Sequence, residues 1–188
     1  MARARIGLPT TLVAALMAGT AWGQTATVAP APIVGELPER TAAVFGDWTV
    51  QCDGRAGVGR VCEMAQARQD QRQQIAAILA LGRLNKDQPF RMVARVPVNV
   101  QVATAARLVE GPGPQDPAIS LAFRACGPLG CFAEAELADQ AAIRRLGGRA
   151  ADQVGRLEWL DVSGTAVAVP ISFRGFGAAF EALSREGN

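Results

Sequence analysis

Ala118-Ile119-Ser120-Leu121-Ala122-Phe123-Arg124-Ala125-Cys126-Gly127-Pro128-Leu129-Gly130-Cys131-Phe132-Ala133-Glu134-Ala135-Glu136-Leu137 reads as two strands and the reversal between them. Ile119, Leu121 and Phe123 alternate with Ser120, Ala122 and Arg124, the period of two that puts apolar side chains on one face of a strand. The glycines and proline between Cys126 and Cys131 suit a tight turn, and strand-like sequence resumes at Phe132. A hairpin of this kind places the chain among β proteins.

The same pattern extends in both directions. Phe45-Gly46-Asp47-Trp48-Thr49-Val50-Gln51-Cys52 reads as a half-buried strand with Trp48, Val50 and Cys52 on the inner face. Asp53 and Gly54 open a turn region running through Gly57 and Gly59, and a returning strand at Arg60–Gln66 completes a second hairpin. Ile75–Leu81 and Arg91–Val102 are two further strands. Pro97 cannot donate to a ladder, so the second is an edge strand or breaks in two. Ala106–Glu110 is a short strand, and Gly111-Pro112-Gly113-Pro114 a loop.

On the C-terminal side, Ala138–Gly147 is a helix with Leu137, Ala141 and Leu146 along one face and Gly147-Gly148 ending it. Arg144 and Arg145 read as its solvent face, near the end that favours cations. Strands at Arg156–Val162 and Ala166–Phe173 flank a turn at Ser163-Gly164, and Gly177–Leu183 is a short helical turn packing Phe180 and Leu183. Many strands, one or two short helices and glycine-rich turns predict an all-β fold, a β-sandwich.

The first residues address a compartment. Arg3 and Arg5 precede an apolar run from Ile6 to Met17, and Ala21-Trp22-Gly23 supplies the small residues a signal peptidase reads. Residues 1–23 are read as a signal peptide cleaved after Gly23. The run falls short of the roughly 18 residues of a membrane-spanning helix, and no cysteine lies at the cleavage point to carry a lipid. Residues 24–43, rich in Ala, Pro and Thr, read as a flexible leader, and residues 44–188 as a single domain. The protein is therefore expected in the periplasm or outside the cell.

Of 188 residues, 19 are Lys or Arg and 17 are Asp or Glu, and removal of the signal takes away Arg3 and Arg5 and balances the charge. The arginines form no stripe, which argues against nucleic acid or an anionic membrane as a partner. The chain contains no histidine, which removes Ser-His-Asp and Cys-His catalysis and histidine metal sites. Glu134 and Glu136 share a strand face and have the spacing for acid-base work, but an exposed face explains them as well. Gly111–Gly113 lacks the Lys and Ser or Thr of a phosphate loop. No catalytic residue, cofactor or metal site is assigned.

Cys52, Cys62, Cys126 and Cys131 are the remaining candidates. Four cysteines permit three connectivities. The local pairs, Cys52 with Cys62 and Cys126 with Cys131, are favoured because each lies at the mouth of a predicted hairpin, where a bridge contributes about 2 kcal/mol or slightly more. A four-cysteine zinc site fits the spacing poorly.

The chain resembles the invasion-associated locus B family of exported bacterial proteins. The resemblance is carried by Phe45-Gly46-Asp47-Trp48 leading to Cys52, by Cys62-Glu63-Met64-Ala65-Gln66, by Cys126-Gly127-Pro128-Leu129-Gly130-Cys131, and by Ile171-Ser172-Phe173-Arg174-Gly175-Phe176 with Ala178 and Ala179. It implies an immunoglobulin-like β-sandwich, a place in the periplasm or at the outer surface, no cofactor, and an envelope role linked in some pathogenic members to host-cell entry. The chain departs from the family pattern between Arg107 and Pro117, where a Pro-Gly stretch replaces regular strand.

Two functions remain in view. The first is a non-catalytic envelope protein, braced by disulfides, that binds a protein or an envelope component. The second is a thiol-disulfide exchange protein using Cys126 and Cys131. The four residues between these cysteines and their place in a hairpin, rather than a C-x-x-C at a helix start, favour a structural brace. Partner and oligomeric state are not written in any residue pattern.

Overall fold

Ten strands and two helices account for the described residues, 39–55, 59–113 and 115–186, in a computed structural model. Residues 1–38, which include the stretch read as a signal peptide with its expected cleavage after Gly23 and most of the stretch read as a leader, lie outside the described residues. The elements are β1 (Arg40–Phe45), β2 (Trp48–Arg55), β3 (Gly59–Gln69), β4 (Ile75–Arg83), β5 (Phe90–Val96), β6 (Ala106–Val109), β7 (Ala118–Gly127), β8 (Gly130–Leu137), α1 (Ala141–Gly147), β9 (Val154–Leu160), β10 (Ala166–Ser172) and α2 (Phe176–Glu186). Every ladder is antiparallel, in the order β1-β2-β3-β4-β5-β8-β7-β6-β9-β10.

The sheet doubles over at β7. Ala118–Leu121 pairs with β6, whereas the strand beyond it pairs with β8, across an irregularity between Phe123 and Ala125. An extra residue bends a strand and raises its twist, so one strand serves two sheets. The second sheet returns over the first. Gln66 of β3, almost fully buried, accepts from Ser172 N (2.9 Å) and donates through Nε2 to Ser172 O (3.1 Å). That pair of bonds satisfies a buried amide that would otherwise cost about 1–3 kcal/mol. The result is an all-β, sandwich-like fold with two helices.

Alternation in the strands builds the core. Cys62 and Met64 on β3, Ala77, Leu79 and Leu81 on β4, and Met92, Ala94 and Val96 on β5 all point inward, meeting Leu157 and Ile171 from the facing sheet. α2 closes one side with Phe176, Ala179, Ala182 and Leu183, and its Phe180 meets Phe90 edge-on at 5.1 Å. α1 packs on α2. It is tied to the end of β6 by Glu110, which is fully buried and receives Arg145 (2.9 Å) and Arg149 (3.1 Å).

Several elements depart from the sequence expectations, each for a local reason. Phe45 and Trp48 do not share a strand, because Gly46 (φ +58°) and Asp47 turn the chain between β1 and β2. β1 begins at Arg40, inside the stretch read as leader, and gains its strand form from pairing with β2. Asp53 and Gly54 continue β2 instead of opening the turn. β5 lies between β4 and β8, so it is no edge strand; it ends at Val96 because Pro97 has no N–H to offer. α1 starts three residues late and buries Ile143 and Leu146, while Leu137 belongs to β8. Arg145 is an ion-pair partner of Glu110 rather than a solvated face. α2 is longer than the helical turn expected, running from Phe176 to Glu186. In the Pro-Gly stretch, Arg156 donates to Gly111 O and to Gly113 O, and Gly113 N donates to Asp116 Oδ2 (2.6 Å), which holds the loop against β9.

Two sequence motifs that lie far apart meet in space. Trp48, 1% exposed, donates from Nε1 to Ser172 O (3.0 Å) and sets its ring edge-on to Phe176 at 5.0 Å. Asp47 N donates to Arg174 O (3.0 Å), and Arg174 returns its guanidinium to the Asp47 carboxylate (2.6 Å). Hydrogen bonds from Arg174 and then Ser172 hold the Asp47 carboxyl down at about 2. Phe45-Gly46-Asp47-Trp48 and Ser172-Phe173-Arg174-Gly175-Phe176 thus form a single clasp.

Candidate binding groove

The four cysteines form two bonds, Cys52–Cys62 and Cys126–Cys131, and none is free. Each pair is directly opposed across a hairpin, Cys52 against Cys62 in the β2–β3 ladder and Cys126 against Cys131 in the β7–β8 ladder, with Cα atoms 4.0 Å apart. Cys52, Cys62 and Cys131 are buried and Cys126 is exposed. Neither α1 nor α2 carries a cysteine, so neither bridge is the C-x-x-C at a helix start that marks exchange thiols. The bridges staple hairpins.

A concavity lies on the outer face of β3, β4, β5 and β8, with Cys62 among its lining residues. Because inward and outward residues alternate, burying Leu79 and Leu81 turns Ile78, Ala80 and Gly82 outward; burying Met92 and Ala94 does the same for Arg91, Val93 and Arg95. On β8, Phe132, Glu134 and Glu136 face out. The register sets these residues in rows. Glu63, Gly82, Arg91 and Glu136 form one, Ala80, Val93 and Glu134 the next, and Ile78, Arg95 and Phe132 the third. Small side chains at Ala80 and Gly82 leave a depression, and Leu84, Gln88 and Pro89 from the β4–β5 connection wall one end. The groove encloses about 620 Å³, within the usual range of small-ligand sites.

Its charges are ordered. Arg91 pairs with Glu134 at 3.6 Å near the middle. Glu63 and Glu136 share the first row and Arg95 sits in the third, and among the described residues none of these three has a hydrogen-bond or ion-pair partner. Arg83 stacks on Phe90 at 4.5 Å and donates to Lys86 O (3.1 Å), leaving its buried Nε without a partner. The lining carries no Ser, Thr or free thiol. Such a surface offers fixed charges over an apolar floor.

The structure therefore brings Glu134 and Glu136 to one groove face, as their spacing implied, but gives Glu134 an arginine partner. Glu63, Arg91, Val93, Arg95 and Phe132 were not singled out from sequence. Their signal is the alternation Arg91-x-Val93-x-Arg95 and Phe132-x-Glu134-x-Glu136, which marks mixed outer faces but does not say that β5 and β8 are neighbours.

Ten antiparallel strands doubled into a sandwich, two hairpin disulfides and a groove on one outer face define a disulfide-braced all-β protein. Its two helices cover the core and line little of the groove. The sequence profile of the invasion associated locus B (IalB) protein matches residues 48–184, and the chain belongs to that family. Among solved structures, the crystal structure of invasion associated protein b from Bartonella henselae is similar, with a TM-score of 0.60 and 18% sequence identity over 77% of this chain and 96% of that one. At that identity the likeness is one of fold. No curated protein matches the chain. Family and disulfides together point to an exported protein. No helix among the described residues is long and apolar enough to cross a membrane.

Proposed function

We propose that this protein is a non-catalytic component of the bacterial envelope, carried by the signal at residues 1–23 to the periplasm or the cell exterior, where it binds another protein or an envelope component. The observation that carries the reading is the outer-face groove, in which apolar floor and unpartnered charges are fixed on four adjacent strands. Sites built on strands are pre-ordered, so little is lost on binding. The absence of histidine from the sequence, and of hydroxyl or thiol nucleophiles from the lining, supports binding over catalysis. In a pathogen, the same surface would serve contact with a host cell.

Mild crosslinking on intact cells tests this. Wild-type protein is expected to trap a reproducible partner, and Ala80→Trp, which fills the groove floor, is expected to lose it. Equal trapping by the two proteins, with Ala80→Trp folded by circular dichroism, would refute the groove as the binding surface. Export is tested by N-terminal sequencing of mature protein from the envelope fraction: it should start at Gln24, and a cytoplasmic chain retaining Met1 would reject it.

A further inference from the structure

We infer that the groove takes an extended peptide segment of about five residues, apolar in the middle, with a cation at one end and a carboxylate at the other. The inference rests on the groove being the binding surface. Three features of the groove carry it.

The first is the polarity of its charges. Glu63 and Glu136 stand at the two sides of one row, with Gly82 and Arg91 between them, and Arg95 lies in the row two steps away; Glu63, Glu136 and Arg95 have no partners among the described residues, while Arg91 is neutralised by Glu134 of the middle row. Four residues along β5 or β8 separate the two rows, a distance of about 13 Å. A ligand that answers both ends is a dipolar one.

The second is the floor. Ala80 and Val93, flanked by Ile78 and Phe132, are half-buried and apolar, so whatever lies across them is desolvated without a hydrogen-bonding partner. The middle of the ligand is therefore apolar.

The third is the repeat. In an extended peptide the side chains at i, i+2 and i+4 share a face, and i to i+4 spans about 13 Å. Along β4 those three positions fall on the three rows of the groove, with the cation over Gly82 beside Glu63, an apolar side chain on Ala80 and Val93, and the carboxylate over Ile78 beside Arg95. Other occupants fit less well. Nucleic acid and anionic lipid would find three carboxylates against three arginines, with no excess of positive charge to hold a polyanion. A glycan would find Phe132 as its one aromatic platform among the lining residues. A second copy would set a concave face on a concave face.

Three pentapeptides, acetylated and amidated so that only side chains carry charge, test the assignment: Lys-Val-Ala-Val-Asp, Lys-Val-Ala-Val-Lys and Asp-Val-Ala-Val-Asp, titrated by calorimetry into the mature disulfide-bonded protein. Lys-Val-Ala-Val-Asp is expected to bind about fivefold more tightly than either of the others, the upper range for a partly exposed ion pair. Arg95→Glu, a change on the outer face, should invert the order so that Lys-Val-Ala-Val-Lys binds best, by a similar factor. Equal binding of the three peptides, or an order that Arg95→Glu leaves unchanged, overturns the inference. So does failure of all three to bind while Ala80→Trp still abolishes crosslinking, an outcome that keeps the groove and removes the peptide. Binding of phosphatidylglycerol vesicles in place of the peptides, lost in Ala80→Trp, would likewise replace a peptide with a lipid surface. Unchanged crosslinking by Ala80→Trp removes the groove itself and the peptide with it.

Discussion

Gly175→Ala is expected to destabilise the protein by about 3 kcal/mol. Gly175 has a φ of +86°, and a Cβ placed on it would lie 2.0 Å from Phe45 O and 2.9 Å from Gly46 N. Holding alanine in the left-handed region costs about 1–2 kcal/mol. The contact with backbone cannot be relieved by rotating a side chain, so the β1–β2 turn must back away. Backing away stretches the Asp47 N to Arg174 O bond and the Asp47–Arg174 ion pair, for about another 1–2 kcal/mol. Two controls separate the terms. Gly164 shares the positive φ (+81°) but has nothing within 4 Å of an added Cβ, so Gly164→Ala should cost about 1 kcal/mol, the backbone part alone. Gly127 has neither the φ nor a neighbour, and Gly127→Ala should cost nothing measurable. Urea unfolding of the three variants with both disulfides intact gives the differences from the midpoints at constant slope. If Gly175→Ala falls within about 0.5 kcal/mol of Gly164→Ala, below the cost assigned here to the lost bonds, the close approach of the two motifs is not what holds them.

Removal of Cys52 and Cys62 together should cost about 3 kcal/mol, against about 2 for Cys126 and Cys131, because the bridges span sequence separations of 10 and 5; an inverted ranking in urea would mean that loop entropy is not the source. Glu110→Gln leaves Arg145, half exposed, and Arg149, a fifth exposed, facing a neutral partner, and should cost about 2 kcal/mol with early amide exchange in α1; equal protection of α1 in both proteins would detach Glu110 from the helix's anchoring. The Asp47 carboxyl, lowered to about 2 from an unfolded value near 3.9, contributes stability fully present above about pH 5 and lost as pH falls through 4 toward 2. Since Arg174 is 62% exposed, solvent screening holds that contribution below about 1 kcal/mol. The stability gap between wild type and Asp47→Asn should therefore close between pH 6 and pH 2, and a gap that persists at pH 2 would assign it to something other than charge.

What the sequence revealed of the fold was whatever repeats locally. The β7–β8 hairpin is written in alternation and in Gly127-Pro128-Leu129-Gly130, and the buried residues Trp48, Val50 and Cys52 follow from period two alone. β1 was hidden because Arg40–Phe45 buries no residue fully and owes its form to a neighbour. The place of Pro97 was legible as a break, but the central position of β5 was not, since strand order is a long-range property. The groove escaped for the same reason: its rows need the registers of β3, β4, β5 and β8 together, and its concavity comes from small residues, Ala80 and Gly82, that look unremarkable in a strand. Cysteine pairing was the exception, because hairpin mouths bring neighbours in sequence into register.

The clasp between the Phe45–Trp48 and Ser172–Phe176 motifs also sets an order of events. Its hydrogen bonds join residues 124 and 127 positions apart, so the contacts that lock Trp48 are among the most non-local in the molecule. A chain emerging N-terminus first, whether from a ribosome or through a translocation pore, can form the meander β1 to β5 early. It has no acceptor for Trp48 Nε1 and no partner for its ring at this clasp until Ser172 and Phe176 arrive. Until then the two motifs stay unclasped, and the final lock is set in whichever compartment receives residues 172–176.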